Sequence, residues 1–177
     1  MSIVETEEQV GLLWGLRGSL LAYARRVRAR VELGGGAGVL GDGESFHFPL
    51  VDQSDFEPQM LAGVIRFQGW VRIVAHQGAM DIRVSEPHLT VRDHVGVLSA
   101  RARSDEAAQR LDLIEARLQV PTCDGSTLMW SDCDTVLSPG GVGLFEGRYD
   151  VGEEFAPLTA RIRWRGSVAD RAVLGTG

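Results

Sequence analysis

The segment from Leu61 to Asp81 constrains the fold of this chain more than any other. Over residues 61–76 the side chains alternate, with Val64, Arg66, Gln68, Trp70, Arg72 and Val74 on one side. The other side carries Ile65, Phe67, Gly69, Val71, Ile73 and Ala75. A period of two belongs to an extended strand with one buried face. Gln77-Gly78 reads as a hairpin turn, and the chain returns through Met80, Ile82 and Val84 to Pro87. Shorter strands are predicted around Phe46 and Phe48 and at residues 89–92, 96–103, 111–120 and 157–164. Residues 122–134 read as a turn-rich loop.

The N-terminal part has a different rhythm. Leu12, Leu16, Leu20, Val27 and Val31 recur at helical spacing, Thr6 and Gln9 resemble a capping box, and Gly34-Gly35-Gly36 stops the run. A helix is therefore expected from near Glu7. Ser19 and Tyr23 lie at one edge of its apolar stripe, with Arg26 and Arg30 just beyond. Gly11, Gly15 and Gly18 cost such a helix stability, and are tolerated where something flat or bulky must approach the backbone. Ser138-Pro139 opens a second, short helix through Phe145. The expected architecture is mainly β (α+β): antiparallel sheets in a sandwich-like domain with a packed N-terminal helix and a short C-terminal one. Residues 1–165 form the single domain and residues 166–177 a flexible tail.

Charge and motifs exclude several functions. The net charge of −6 argues against nucleic acid, which needs a concentrated basic surface. Arg25, Arg26, Arg28 and Arg30 read as a solvated face that suits a helix C-terminus. No apolar run is long enough to span a bilayer and no signal-peptide pattern is present, so a cytoplasmic location is expected for the chain as given. Cys123 and Cys133 lack metal-ligand spacing; they would pair only in an exported protein and stay reduced inside a cell. There is no nucleophile elbow, phosphate loop or zinc-protease helix. The glycines at 34–38 follow no predicted strand, so they are not a dinucleotide fingerprint. An enzyme is not expected.

What remains is a phenol on the first helix and an imidazole at the hairpin tip. Tyr23 has Ser19 one turn before it and Arg26 one turn after; His76 sits between the small residues Ala75 and Gly78. A phenol and an imidazole meeting over an apolar surface can hold haem iron. The phenol, with an ordinary pKa near ~10, needs a cation or hydrogen-bond donor to bind as phenolate, and Arg26 or His76 could serve. Phenolate favours ferric iron, which suits uptake, storage or transfer. Phe145 could stack on a porphyrin, and Tyr149 is the rival phenol. The same pocket would also serve an apolar small-molecule carrier or a cofactorless enzyme. A haem peroxidase would need a distal histidine–arginine pair that the sequence does not offer, and a β edge could instead pair with a partner protein.

The chain resembles the HtaA-type haem-binding domain of actinobacterial haem-uptake proteins, from about Leu12 to Trp164. The resemblance rests on three segments: Trp14-Gly15-Leu16-Arg17 with Ser19 and Tyr23; Phe67, Gly69, Val71, His76, Gly78, Met80 and Asp81; and Gly141, Phe145, Tyr149, Gly152, Pro157 and Leu158. It implies an antiparallel β fold with flanking helices that holds one haem. By that resemblance Tyr23 would be the axial iron ligand and His76 would hydrogen-bond its oxygen. Ser19 would bond a propionate and Phe145 would pack on the macrocycle. A haem donor or acceptor protein would be the partner. Two departures stand out: Ala156 occupies a position where an acidic residue is usual, and residues 122–134 have no clear counterpart.

Overall fold

The stripe that reads as one N-terminal helix is divided among three elements: β1 (Gly11–Trp14), α1 (Gly18–Arg26) and β2 (Arg30–Gly34). The computed structural model describes residues 9–41, 43–102 and 108–164, so the expected helix start near Glu7 and the expected C-terminal tail lie outside the described residues. The first break falls where Gly15 packs against Glu44, whose carbonyl oxygen would stand 2.4 Å from an added Cβ, and Leu16 turns left-handed at φ 55°. The second follows Arg28 at φ 53°. Leu12 and Trp14 are both fully buried, so the period is two where the longer stripe suggests a helix. Strand partners on both sides of β1 override the local helical pattern.

The remaining strands are β3 (Gly38–Leu40), β4 (Ser45–Asp52), β5 (Phe56–Glu57), β6 (Ala62–Phe67), β7 (Trp70–Ala75), β8 (Met80–Arg92), β9 (Val95–Arg101), β10 (Arg110–Arg117), β11 (Thr122–Asp124), β12 (Thr127–Leu137) and β13 (Glu154–Arg163). A 3-10 turn (His76–Gly78) joins β7 to β8, and α2 (Pro139–Leu144) follows β12. The order β8-β9-β10-β12-β13-β1-β4-β6 closes on itself, because β6 also pairs with β8. The domain is thus an eight-stranded antiparallel barrel, and the expected sandwich is corrected. The reason lies in β8, expected to stop at Pro87 but running on to Arg92. Its first half pairs with β7 and its second with β6 and β9. The register shifts between Ser85 and His88, where Glu86 has φ 48°. A bulge is a place where a strand accommodates proline, which has no N–H for the ladder.

An eight-stranded barrel encloses little more than its own side chains. Trp14, Phe46, Phe48, Phe67 and Trp130 fill this one, each 2 % exposed or less. A large planar ligand therefore has to bind outside it. Projecting from the barrel, β2, β7 and the first half of β8 make a three-stranded flap. Gly69 separates β6 from β7 at φ 100°, so close to the Ala37 backbone that a Cβ would meet its nitrogen at 2.7 Å. The flap buries Val71, Ile73, Ala75, Met80, Ile82 and Val84 on one face. The other carries Glu32, Arg72 and Asp81, with Arg72 gripping both oxygens of Asp81 at 2.8 and 2.6 Å.

The expected loop at 122–134 is instead the hairpin of β11 and β12. Its register sets Cys123 opposite Leu128, so Cys133 lies five residues farther along β12, about 16 Å at ~3.3 Å per residue. That separation is too great for a disulfide. The short helix after Ser138 forms as predicted, and Gly140 and Gly141 let it lie directly on β10, where an added Cβ would meet the Asp112 and Leu113 carbonyl oxygens at 2.5 and 2.4 Å. No helix among the described residues is long and apolar enough to cross a membrane.

Candidate functional site

Helix α1 buries Leu20, Leu21 and Ala24, which leaves Ser19, Tyr23 and Arg26 on its outer side. Positions four and three apart share a helix face, so one local periodicity presents a hydroxyl, a phenol and a guanidinium together. The chain then turns at Arg28 into β2, whose Arg30 pairs with Val74 beside the flap tip. This short return brings α1 to the tip.

At that junction a hydrogen bond of 2.7 Å joins Tyr23 Oη to His76 Nε2. Their ring centroids are 6.0 Å apart and tilted by 48°. With a neutral imidazole the phenol donates to Nε2; with Nε2 protonated the imidazole donates to a phenolate oxygen. His76 and Gln77 both hold left-handed backbone, at φ 52° and 57°, ahead of Gly78 at 92°. Left-handed conformations cost non-glycine residues of order 1 kcal/mol or more each, and here they tilt the imidazole toward α1.

Two cations flank the phenol. The Arg26 guanidinium lies 5.3 Å from the Tyr23 ring centroid and that of Arg148 lies 5.9 Å away, both within cation–π range. Ser19 is exposed, and its Oγ accepts a hydrogen bond of 2.9 Å from Arg17 Nε. The site opens to solvent: His76, Ser19, Arg26 and Arg148 are exposed and Tyr23 is half-buried.

The structure thus brings Tyr23, His76 and Arg26 together, with Ser19 one turn away on the same helix. Phe145 is placed differently. It is fully buried, with its ring against Phe155 (4.9 Å between centroids) and Tyr149 (6.3 Å), and shows no open face to a ligand. Tyr149 is partly buried and carries the Arg17 guanidinium 4.4 Å from its ring. Sequence reasoning missed Arg148 and Glu146, which read as part of a turn. The usable signal was a charged residue at the end of α2, where glycine is usual, with glycine displaced to position 147.

Of the other histidines, His47 and His88 have lowered pKa values. Burial lowers the pKa of His47. Burial and then the cations Arg110, Arg66 and Arg101 push His88 down to about 4. Both sit in barrel strands away from the tip.

Comparison with known proteins agrees with the barrel fold. The HtaA family model matches residues 9–161. Among solved structures, the C-terminal domain of HtaA from Corynebacterium glutamicum aligns with a TM-score of 0.69 at 19% identity, covering 88% of this chain and 98% of that one. The N-terminal domain of the same protein gives 0.67 at 20% identity, covering 90% and 98%. The haem-binding protein HtaB from that organism gives 0.62 at 18%, covering 88% and 93%. Comparison with curated protein sequences gives no match.

Proposed function

The chain belongs to the HtaA family, and from that premise we propose that it is a haem-binding protein that carries ferric haem as cargo, held by Tyr23 as phenolate. The observation that carries the reading is the 2.7 Å contact between Tyr23 Oη and His76 Nε2. An imidazole N–H can donate to the oxygen of an iron-bound phenolate, and two guanidiniums flank the ring. The donor set suits ferric haem: a hard oxygen ligand for the iron, and cations with a serine hydroxyl for the propionates. A filled barrel and an open outer face support exchange of the cargo with another protein.

Within this reading Tyr23 is the iron ligand and His76 hydrogen-bonds its oxygen. Arg26 and Ser19 meet the propionate side. Phe145 stays buried against Tyr149 and Phe155 and takes no part in packing on the macrocycle in this reading. A carrier of another apolar molecule would use the same surface, but the paired guanidiniums favour an acidic cargo. Titration of the purified chain with haemin should give a saturable one-to-one absorbance change. Tyr23→Ala should weaken binding by at least about 100-fold. An unchanged spectrum and affinity in that variant would remove Tyr23 as ligand.

A further inference from the structure

Among the described residues, the first half of β8 has a strand partner on one side only, because its pairing with β9 begins at Ser85. On that open side stands the segment after α2. Glu146 Oε1 accepts a hydrogen bond of 2.8 Å from the Asp81 backbone N–H, one residue past the start of β8. Its other oxygen, Oε2, accepts from Arg148 Nε at 3.2 Å, and the same Arg148 guanidinium reaches the Tyr23 ring. Glu146 holds left-handed backbone at φ 59° in the position that closes α2. Glycine would meet that conformation without strain. The chain instead places there a carboxylate whose two oxygens bridge the flap to the cation beside Tyr23.

We infer that Glu146 is a positioning residue: it clamps the flap tip, fixing His76 on the Tyr23 oxygen, and holds Arg148 against the phenol. The clamp contains one charge-assisted contact to a main-chain N–H, the stronger kind of hydrogen bond, at the edge where the flap has no other strand among the described residues. It rests on the haem reading for its purpose, but its mechanical part is independent of any ligand. Glutamine at 146 keeps a carbonyl oxygen for the Asp81 N–H and loses the charge toward Arg148; alanine loses both.

Amide hydrogen exchange on the full chain without haemin tests the mechanical part. In Glu146→Ala, residues 76–81 should exchange at least about tenfold faster, while β13 keeps its protection and so reports an intact barrel. Glu146→Gln should stay within about threefold of the parent. Haemin-loaded protein tests the chemical part: on acidification Glu146→Ala should lose its ligated spectrum at a pH about one unit higher than the parent, with Glu146→Gln between them. Equal exchange at the tip in Glu146→Ala and the parent would overturn the clamp whatever haemin does. Faster tip exchange with an unmoved pH midpoint would overturn its role at the phenol. Loss of haemin binding in Tyr23→Ala, or its persistence, judges the haem reading separately.

Discussion

The barrel and the flap are built from the same alternating strands and put them to opposite uses. In the barrel every strand of the ring has two neighbours, and the inward side chains meet one another until the interior is full. In the flap the outer strands have one neighbour each, one face is buried, and the tip carries consecutive left-handed residues. Closure removes edges and gives stability; an incompletely paired projection leaves an edge for other groups to meet. The difference teaches where chemistry can sit in a small barrel: on what projects from the ring.

The largest expected effect falls on the barrel. Trp14→Ala should cost about 3–5 kcal/mol by denaturant unfolding, because the ring is fully enclosed and Nε1 also donates to the Ala156 carbonyl oxygen at 3.1 Å. A loss as small as that of an exposed residue would mean the barrel interior is not the stability centre, and the comparison would break there.

The seam between the two regions can be probed by pH. His88 has its folded pKa lowered from 6.5 to about 4 by burial and then by Arg110, Arg66 and Arg101. Between those values the unfolded chain takes up a proton that the folded chain refuses. The contribution of His88 is therefore fully present above pH 6.5 and is lost as pH falls toward 4. The full gap would be worth about 3 kcal/mol, and solvent screening of this half-buried ring leaves on the order of 2 kcal/mol to disappear across that window. His88→Gln should flatten the pH dependence in urea melts, and an identical slope in that variant would sever the link between this residue and acid sensitivity.

The smallest effect belongs to the flap's outer face. Arg72 holds the Asp81 carboxyl below the usual range. The ion pair is solvent-facing, with side chains 34% and 40% exposed. Exposed pairs of this kind contribute under ~1 kcal/mol. Arg72→Ala should shift the unfolding midpoint only slightly and more at low than at high salt. A barrel-sized loss would mean that the flap is part of the stability centre, which would erase the distinction between the two regions.

How much of this was legible in the residues follows from the same contrast. The alternation of Ile65, Phe67, Val71, Ile73 and Ala75 marked the buried face correctly, since each strand carries its own period. The closure of the ring was not legible, because it depends on β8 exchanging partners at Glu86, a left-handed residue beside a proline that looks locally like a strand end. The N-terminal leucines misled for a related reason: a spacing of four between Leu12, Leu16 and Leu20 fits a helix and equally a strand, a turn and a helix in succession. Tyr23 and His76 were legible as residue types at helix and turn positions. The clamp was not, because Glu146 meets Asp81 across 65 residues of chain, and no local pattern encodes so distant a contact.

The strand that begins at the flap tip is also the strand that seals the barrel, and this ties the reach of the flap to a parity rule. Side chains switch sides at each step along a strand. Adding one residue to β7 and one to β8 would carry His76 outward and present it to the face away from Tyr23. Adding two to each would restore the face and overshoot the helix. The distance from seam to tip is thus a whole-number setting, and length changes there would act on cargo recognition before they act on the ring.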